Sequence, residues 1–182
     1  MQRQQTRINP VMLNNTIREL WQEHILWTRL FIISSVSELA DLELVTERLL
    51  RNPQDFGKVL RIFYGKDIVD KFVNLFTDHL LIAADLVNYA KAGDNQGAEK
   101  ARKEWFANAD EIAAFLASIN PHWSQSEWRR MLYDHLEKTE MEAVFRLTQR
   151  YAEDIANYEK IESMAMMMAD EMTNGIIKQF LF

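Results

Sequence analysis

The sequence predicts an all-α protein, an up-and-down bundle of four to five long helices with a short helical excursion between the first and third. The 182 residues include only five glycines and three prolines, so few positions favour turns. Apolar residues recur at intervals of three and four, the period of an α-helix, and a hydrophobic content of 48% is enough for one sizeable core. We therefore expect one domain over residues 1–182, with a flexible segment at 1–14 and an apolar tail at 176–182.

The first long helix is predicted over residues 15–37. The stretch Thr16-Ile17-Arg18-Glu19 matches a capping box, in which the first and fourth side chains cap the start of a helix. The short excursion that follows is predicted as two short helices. One begins near Asp41, and the other begins at Asn52-Pro53, where Pro53 would occupy the first helical position.

Two further long helices are predicted in the middle of the chain. The third helix begins near Asp67 and ends at Ala92-Gly93-Asp94, and the fourth spans about 95–118 before Asn120-Pro121. Apolar residues occupy one stripe on each of them. Both helices are therefore expected to face a common core.

The C-terminal third of the chain is predicted to contain two more helices. A second capping box, Ser124-Gln125-Ser126-Glu127, begins the fifth helix, and a break is expected near Gln149-Tyr151. The last helix spans about 153–174, because Asn174-Gly175 is typical of a helix end. No internal repeat of fixed period is visible in the sequence.

Composition and charge exclude several classes of protein. The formal net charge is −6 and no basic cluster occurs, which argues against nucleic acid as a partner. The absence of cysteine excludes disulfides, thiolate metal sites and cysteine nucleophiles, and it agrees with a cytoplasmic location. The most apolar stretch, 25–36, contains Arg29 and is too short for a bilayer, which requires about 20 residues. No membrane span is expected.

Three of the four histidines directly follow an acidic residue and form the main functional signal. The pairs are Glu23-His24, Asp78-His79 and Asp134-His135. Each histidine lies near the middle of a different predicted long helix, on its apolar stripe. Positions at mid-helix share one level in an up-and-down bundle, so the three imidazoles are expected to meet. The adjacent acids point about 100° away and are expected to orient imidazoles of neighbouring helices.

Glu162 and Asn108 are predicted to complete this cluster. Glu162 lies at the same level on the last helix, and Asn108 lies at that level on the fourth. A set of His24, His79, His135 and Glu162 would suit a single Fe²⁺, Zn²⁺ or Mn²⁺ ion. The same groups, with Asn108, could instead bind a small polar ligand, and the remaining possibility is a water-filled polar network.

The spacings of known di-iron bundles are missing. Ferritin-like proteins use Glu-x-x-His pairs, but the residues three positions before these histidines are Trp21, Phe76 and Leu132. No carboxylate lies four positions after them either, so the hemerythrin-like spacing is also absent. One metal ion is therefore favoured over a di-iron site, and no reaction is assigned.

An alternative interpretation is a non-catalytic structural or interaction protein. The methionine-rich stretch SMAMMMADEM (163–172) and the apolar tail IIKQFLF (176–182) could form a contact surface. On this interpretation the chain would self-associate through its last helix and tail, as a homodimer.

Four stretches carry a resemblance to a known family. LWQEHILWTRLFIIS (20–34), DHLLIAADLV (78–87), WFANADEIAAFLASINPHWS (105–124) and MLYDHLEKTEMEAV (131–144) are similar to an uncharacterised bacterial family of small helical proteins. The resemblance covers about residues 17–179 and implies a helical bundle. Such sequences sometimes carry the label acetylglutamate kinase, but this chain has neither the strands nor the glycine-rich loops of that class. A likeness to ferritin-like and hemerythrin-like bundles is architectural only.

Overall fold

The computed structural model describes residues 9–181, and within that range helices joined by short turns are the only regular secondary structure, which confirms the all-α prediction. It contains six helices rather than the four to five expected. They are α1 (Pro10–Val36), α2 (Leu42–Leu60), α3 (Lys66–Ala92), α4 (Asn95–Ile119), α5 (Gln125–Leu147) and α6 (Tyr151–Phe180).

The helices form a closed ring of three hairpins. Each of the pairs α1–α2, α3–α4 and α5–α6 packs together, each hairpin packs against the next, and α6 packs back against α1. The first helices of the hairpins, α1, α3 and α5, also contact one another. These three helices therefore surround the centre of the molecule, while α2, α4 and α6 lie outside them.

The excursion between the first and third helices is one continuous helix, so the prediction of two short helices is wrong. Pro53 lies inside α2 and is buried. A proline within a helix removes one backbone hydrogen bond and costs about 3 kcal/mol. Here Leu49 and Phe56, buried on either side of it, continue the same apolar stripe across the proline. Burial of the whole stripe outweighs the local cost.

The first helix begins earlier than its capping box suggests. Asn9 caps α1, because its Oδ1 accepts hydrogen bonds from the backbone N–H groups of Val11 at 2.9 Å and Met12 at 3.4 Å. Pro10 then occupies the first helical position. The flexible segment predicted at 1–14 is therefore helical over 10–14, and its residues 1–8 lie outside the described range.

The last helix continues through Gly175, so the predicted stop at Asn174-Gly175 is wrong. A Cβ atom at Gly175 would lie 1.9 Å from Nε1 of Trp123, which packs there and donates a hydrogen bond to the carbonyl of Glu171 at 3.1 Å. This glycine permits close approach of Trp123 rather than ending the helix.

Residues 176–180 of the predicted apolar tail form the end of α6 and pack on their own chain, and residue 182 lies outside the described range. Ile176 is fully buried, and the ring of Phe180 lies 5.4 Å from that of Phe63 and 5.1 Å from that of Tyr64. The predicted break before the last helix is present between Leu147 and Tyr151. No helix within residues 9–181 is both long enough and apolar enough to cross a membrane.

The first two hairpins carry matching side chains at matching places. The first helix of every hairpin contains an acid followed by a histidine, and the second contains a buried asparagine, namely Asn52, Asn108 or Asn157. Asn52 and Asn108 each donate to the carbonyl four residues before the histidine of their hairpin, whereas Asn157 donates to the carbonyl of Lys138, after His135. The correspondence therefore does not extend to the third hairpin.

Candidate metal centre

Three buried imidazoles meet where the inner helices come together. His24 on α1, His79 on α3 and His135 on α5 are 1%, 1% and 2% exposed, and one ring nitrogen of each lies within 4.8 Å of the others. The Nε2 atoms of His24 and His135 are 3.4 Å apart. The predicted meeting of these histidines is confirmed, and the group is close enough to hold a metal ion.

Aromatic side chains hold the rings in place. Phe76 stacks on His24 with ring centroids 5.0 Å apart and on His79 at 5.9 Å, and Trp21 packs edge-on against His24 at 5.6 Å. Both precede a histidine by three residues, so they form an aromatic wall on the N-terminal side of the imidazoles. Trp105 on α4 lies 5.4 Å from His79.

Asn108 fixes the orientation of His79. Its Nδ2 donates to the carbonyl of Leu75 at 3.0 Å, so its Oδ1 faces His79 Nδ1 at 3.1 Å. Since an amide oxygen only accepts hydrogen bonds, Nδ1 of His79 carries the proton and Nε2 keeps its lone pair. Asn108, predicted to lie near the cluster, therefore touches an imidazole directly and selects the tautomer that can bind a metal through Nε2.

Asn52 occupies the equivalent place beside His24. Its Nδ2 donates to the carbonyl of Leu20 at 3.0 Å, one helical turn before His24, as Asn108 does one turn before His79. Its Oδ1 and Nδ1 of His24 are both buried, and neither has a hydrogen-bond partner within residues 9–181. Sequence reasoning missed this role because Asn52-Pro53 resembles a helix start. The matching asparagine of the next hairpin is the signal that could have found it.

Burial keeps all three imidazoles neutral. It lowers the pKa of His79 to about 3 and, with a smaller effect of the Lys138 charge, that of His135 to about 4. Burial is the main cause that lowers the pKa of His24 well below its usual value. Repulsion from His135 and His79 in their protonated forms lowers that pKa further, and the amide of Asn52 offsets this in part. At neutral pH the lone pairs are therefore available, and protons do not compete for them.

Glu162 does not join the three histidines. It is half-buried on α6, and its Oε1 accepts a hydrogen bond from Gln22 Nε2 at 3.1 Å. The group of close potential ligands found in residues 9–181 contains only the histidines. The reason is that α6 packs outside the inner helices, against α1 and α5, and does not reach the centre.

The acids that precede the histidines face away from the centre. Glu23 forms an ion pair with Arg48 at 2.6 Å, Asp134 pairs with Lys138, and Asp78 is exposed. These contacts give none of them the predicted role of orienting an imidazole. Asn108 occupies that role for His79 instead.

The hydrogen bonds at the centre are incomplete as they stand. Nδ1 of His24 and Nδ1 of His135 are buried without a partner, and two Nε2 atoms face each other. Buried polar atoms in native proteins are nearly always paired with protein, water or an ion. Zinc–nitrogen bonds of about 2.0–2.1 Å at tetrahedral angles place ligand nitrogens roughly 3.3–3.4 Å apart. The His24–His135 separation of 3.4 Å matches that value.

A second buried polar group lies near the C-terminal end of α1. Arg29 donates to Glu142 at 2.5 Å and to both carboxylate oxygens of Asp154 at 2.9 Å, and Arg146 approaches Asp154 at 3.2 Å. Burial raises the pKa of Glu142 to about 7, against the opposing effect of Arg29. In the sequence Arg29 is notable only as an interruption of an apolar stretch. Its role here is to join α1 to α5 and α6.

Comparisons of the chain with protein-family models, with curated proteins and with solved structures found no significant match. Interpretation of the site therefore depends on its own geometry and chemistry.

Proposed function

We propose that the protein binds a single divalent metal ion, Zn²⁺ in preference to Fe²⁺ or Mn²⁺, through His24, His79 and His135. The observation that supports this most strongly is the group of three buried, neutral imidazoles whose ligand atoms lie within 4.8 Å of one another. A set of nitrogen ligands without a carboxylate suits zinc, whereas Mn²⁺ prefers oxygen and Fe²⁺ sites commonly add a carboxylate.

The asparagines support the same proposal. Asn108 leaves Nε2 of His79 free to bind, and Asn52 is placed to do the same for His24. Metal-bound histidines nearly always donate their other ring N–H to an oxygen acceptor. A small inward shift of the imidazoles would bring their ligand atoms, which lie within 4.8 Å of one another, to tetrahedral separations.

Three protein ligands leave a fourth position for water or a small polar ligand. Structural zinc sites have four protein ligands, whereas sites with three histidines keep an open position. Zinc supplies Lewis acidity there and lowers the pKa of a bound water to about 7. We therefore infer that the fourth coordination position of the metal is open. A small polar ligand would bind to the metal at that position.

Metal content and site-directed substitution test this proposal together. Protein made without a histidine tag and reconstituted with Zn²⁺ should contain one equivalent of zinc by elemental analysis. His79→Gln and His135→Gln should each lose it, while His122→Gln, in an exposed loop, should retain it. Cobalt in place of zinc should give the intense visible absorption of a tetrahedral site. Wild-type protein that takes up no stoichiometric zinc or cobalt would refute metal binding and leave the polar ligand.

A further inference from the structure

A cavity of about 190 Å³ lies on the other side of the histidines from the aromatic wall. Its floor includes Thr28, Ala83 and Thr139, the residues one helical turn after His24, His79 and His135. The hydroxyl groups of Thr28 and Thr139 donate to the carbonyls of their histidines at 2.8 and 2.9 Å. Because those hydroxyls are already satisfied, the floor presents no free donor to the cavity.

The walls above this floor are apolar. They include Phe31, Ile32, Leu80, Leu86, Val87 and Ala143. An apolar cavity is not filled stably by water, because water finds too few hydrogen-bond partners in it. Wall atoms around an empty space also lose packing contacts. An apolar molecule would restore those contacts.

Trp105 also lines the cavity and is 2% exposed. Its Nε1 is buried, so the donor is not accessible from the cavity. The walls below the rim are therefore apolar, as in most small-molecule sites.

The cavity has a polar rim through which a ligand can enter. Arg102 and Glu140, which also line it, form an ion pair between α4 and α5 at 2.9 Å, and their side chains are 39% and 29% exposed. Glu99 and Asn95 lie at the same end and are exposed. The rim is therefore exposed to solvent, while the floor lies one helical turn away from the imidazoles.

We propose that this cavity binds a small apolar molecule, such as an alkylbenzene. Apolar cavities of about 150 Å³ accept benzene, so the volume here suits a phenyl ring with a short alkyl side chain. Binding requires no metal, since no histidine lines the cavity. The bound molecule would nevertheless be separated from the three histidines only by the floor of Thr28, Ala83 and Thr139.

Calorimetric titration of chelator-treated protein with ethylbenzene and with acetophenone tests the proposal. Ethylbenzene should bind saturably with one site per chain. Acetophenone should bind more weakly, because its carbonyl loses hydrogen bonds to water and finds no accessible donor below the rim. Ala143→Leu, which fills the cavity, should abolish binding of ethylbenzene, whereas Ala107→Leu on the exposed side of α4 should leave it unchanged.

Lack of saturable ethylbenzene binding would overturn the proposal, as would unchanged binding by the Ala143→Leu variant. Tighter binding of acetophenone than of ethylbenzene would overturn the assignment of an apolar ligand. If the Ala143→Leu variant does not fold, Ala90→Leu blocks the same cavity from α3. Because metal is absent throughout, these results are independent of those that test zinc binding.

Discussion

The Nε2 atoms of His24 and His135 lie 3.4 Å apart inside the bundle, although 111 positions separate the two residues in the chain. A direct hydrogen bond between them requires one ring to carry its proton on Nε2. If both rings instead carry the proton on Nδ1, two Nε2 lone pairs face each other at this distance. A metal ion would accept both lone pairs, which is why the centre suits a cation.

The stability of the metal-free protein should fall as the pH falls below about 6.5. Burial lowers the folded-state pKa of His79 to about 3 and of His135 to about 4, and lowers that of His24. Between those values and the unfolded pKa of about 6.5, the unfolded chain binds more protons, so acidification favours unfolding. Each histidine should lose about 1.4 kcal/mol per pH unit in that window. Thermal melting from pH 7.5 to 5.5 measures the effect.

Glu142 has the opposite effect on stability as the pH falls, so a substitution there is a control for the histidines. Its folded-state pKa is raised to about 7, so between its ordinary value of 4.5 and about 7 the folded state binds more protons, and its contribution improves on acidification. Glu142→Gln should therefore steepen the fall in melting temperature. Replacement of His24, His79 and His135 together by glutamine should flatten it. An equally steep fall in that triple variant would mean that other groups cause the acid sensitivity.

Asn108 should control metal affinity without binding the metal. Asn108→Ala removes the acceptor for Nδ1 of His79 and should weaken zinc binding about 10- to 100-fold, as measured by competition with a chelating dye. Asn108→Asp keeps an acceptor at that position and should bind zinc at least as tightly as Asn108→Ala does. Asn74→Ala, at an exposed position on α3, should have no effect. Equal affinities of the Asn108→Ala variant and the wild type would rule out the positioning role.

Arg29 should be one of the most sensitive charged positions in the protein. Arg29→Met removes the cation between Glu142 and Asp154, whose side chains are 2% and 1% exposed. Loss of one partner from a buried ion pair typically costs about 3–5 kcal/mol, because the remaining charge stays buried. Urea unfolding should show this loss at neutral pH. Arg18→Met, which breaks an exposed pair with Asp170, should change stability little, and a similar loss in both variants would count against a special role for Arg29.

Gly175 should not tolerate alanine. The added Cβ would lie 1.9 Å from Nε1 of Trp123, and the nearest neighbours are atoms of a rigid indole ring. Forced overpacking of this kind costs about 1–3 kcal/mol, which exceeds the gain in helix propensity. Gly65→Ala is the matched control, because nothing lies within 4 Å of the Cβ it would add. A melting temperature for Gly175→Ala equal to that of the wild type would show that Trp123 moves aside without cost.

Helical spacing predicted the fold class and the meeting of the three histidines, since both depend on which face of a helix a residue occupies. It failed where tertiary packing overrides local signals, as at Pro53 within α2 and Gly175 within α6. Both residues are typical of helix boundaries, yet both are buried against neighbouring elements.

The sequence predicted only some of the residues of the site, for a similar reason. Glu162 shares the level of the histidines, but the sequence does not reveal whether a helix belongs to the inner or the outer set. Asn108 was found because it lies on an inward stripe. Asn52 was not, because recognition of its role requires the pairing of helices within each hairpin.

The three histidines come from three different hairpins, and the chain contains no cysteine. An ion bound to all three would act as a cross-link between the first, second and third hairpins. Closing a loop of roughly 100 residues in this way lowers the entropy of the unfolded chain by an amount equivalent to about 4–5 kcal/mol. The ring of hairpins closes only when α6 packs against α1. The ion would therefore be enclosed in the last step of folding, and it would be released as soon as one hairpin moved outward. The rate of metal exchange would then report how often the ring opens.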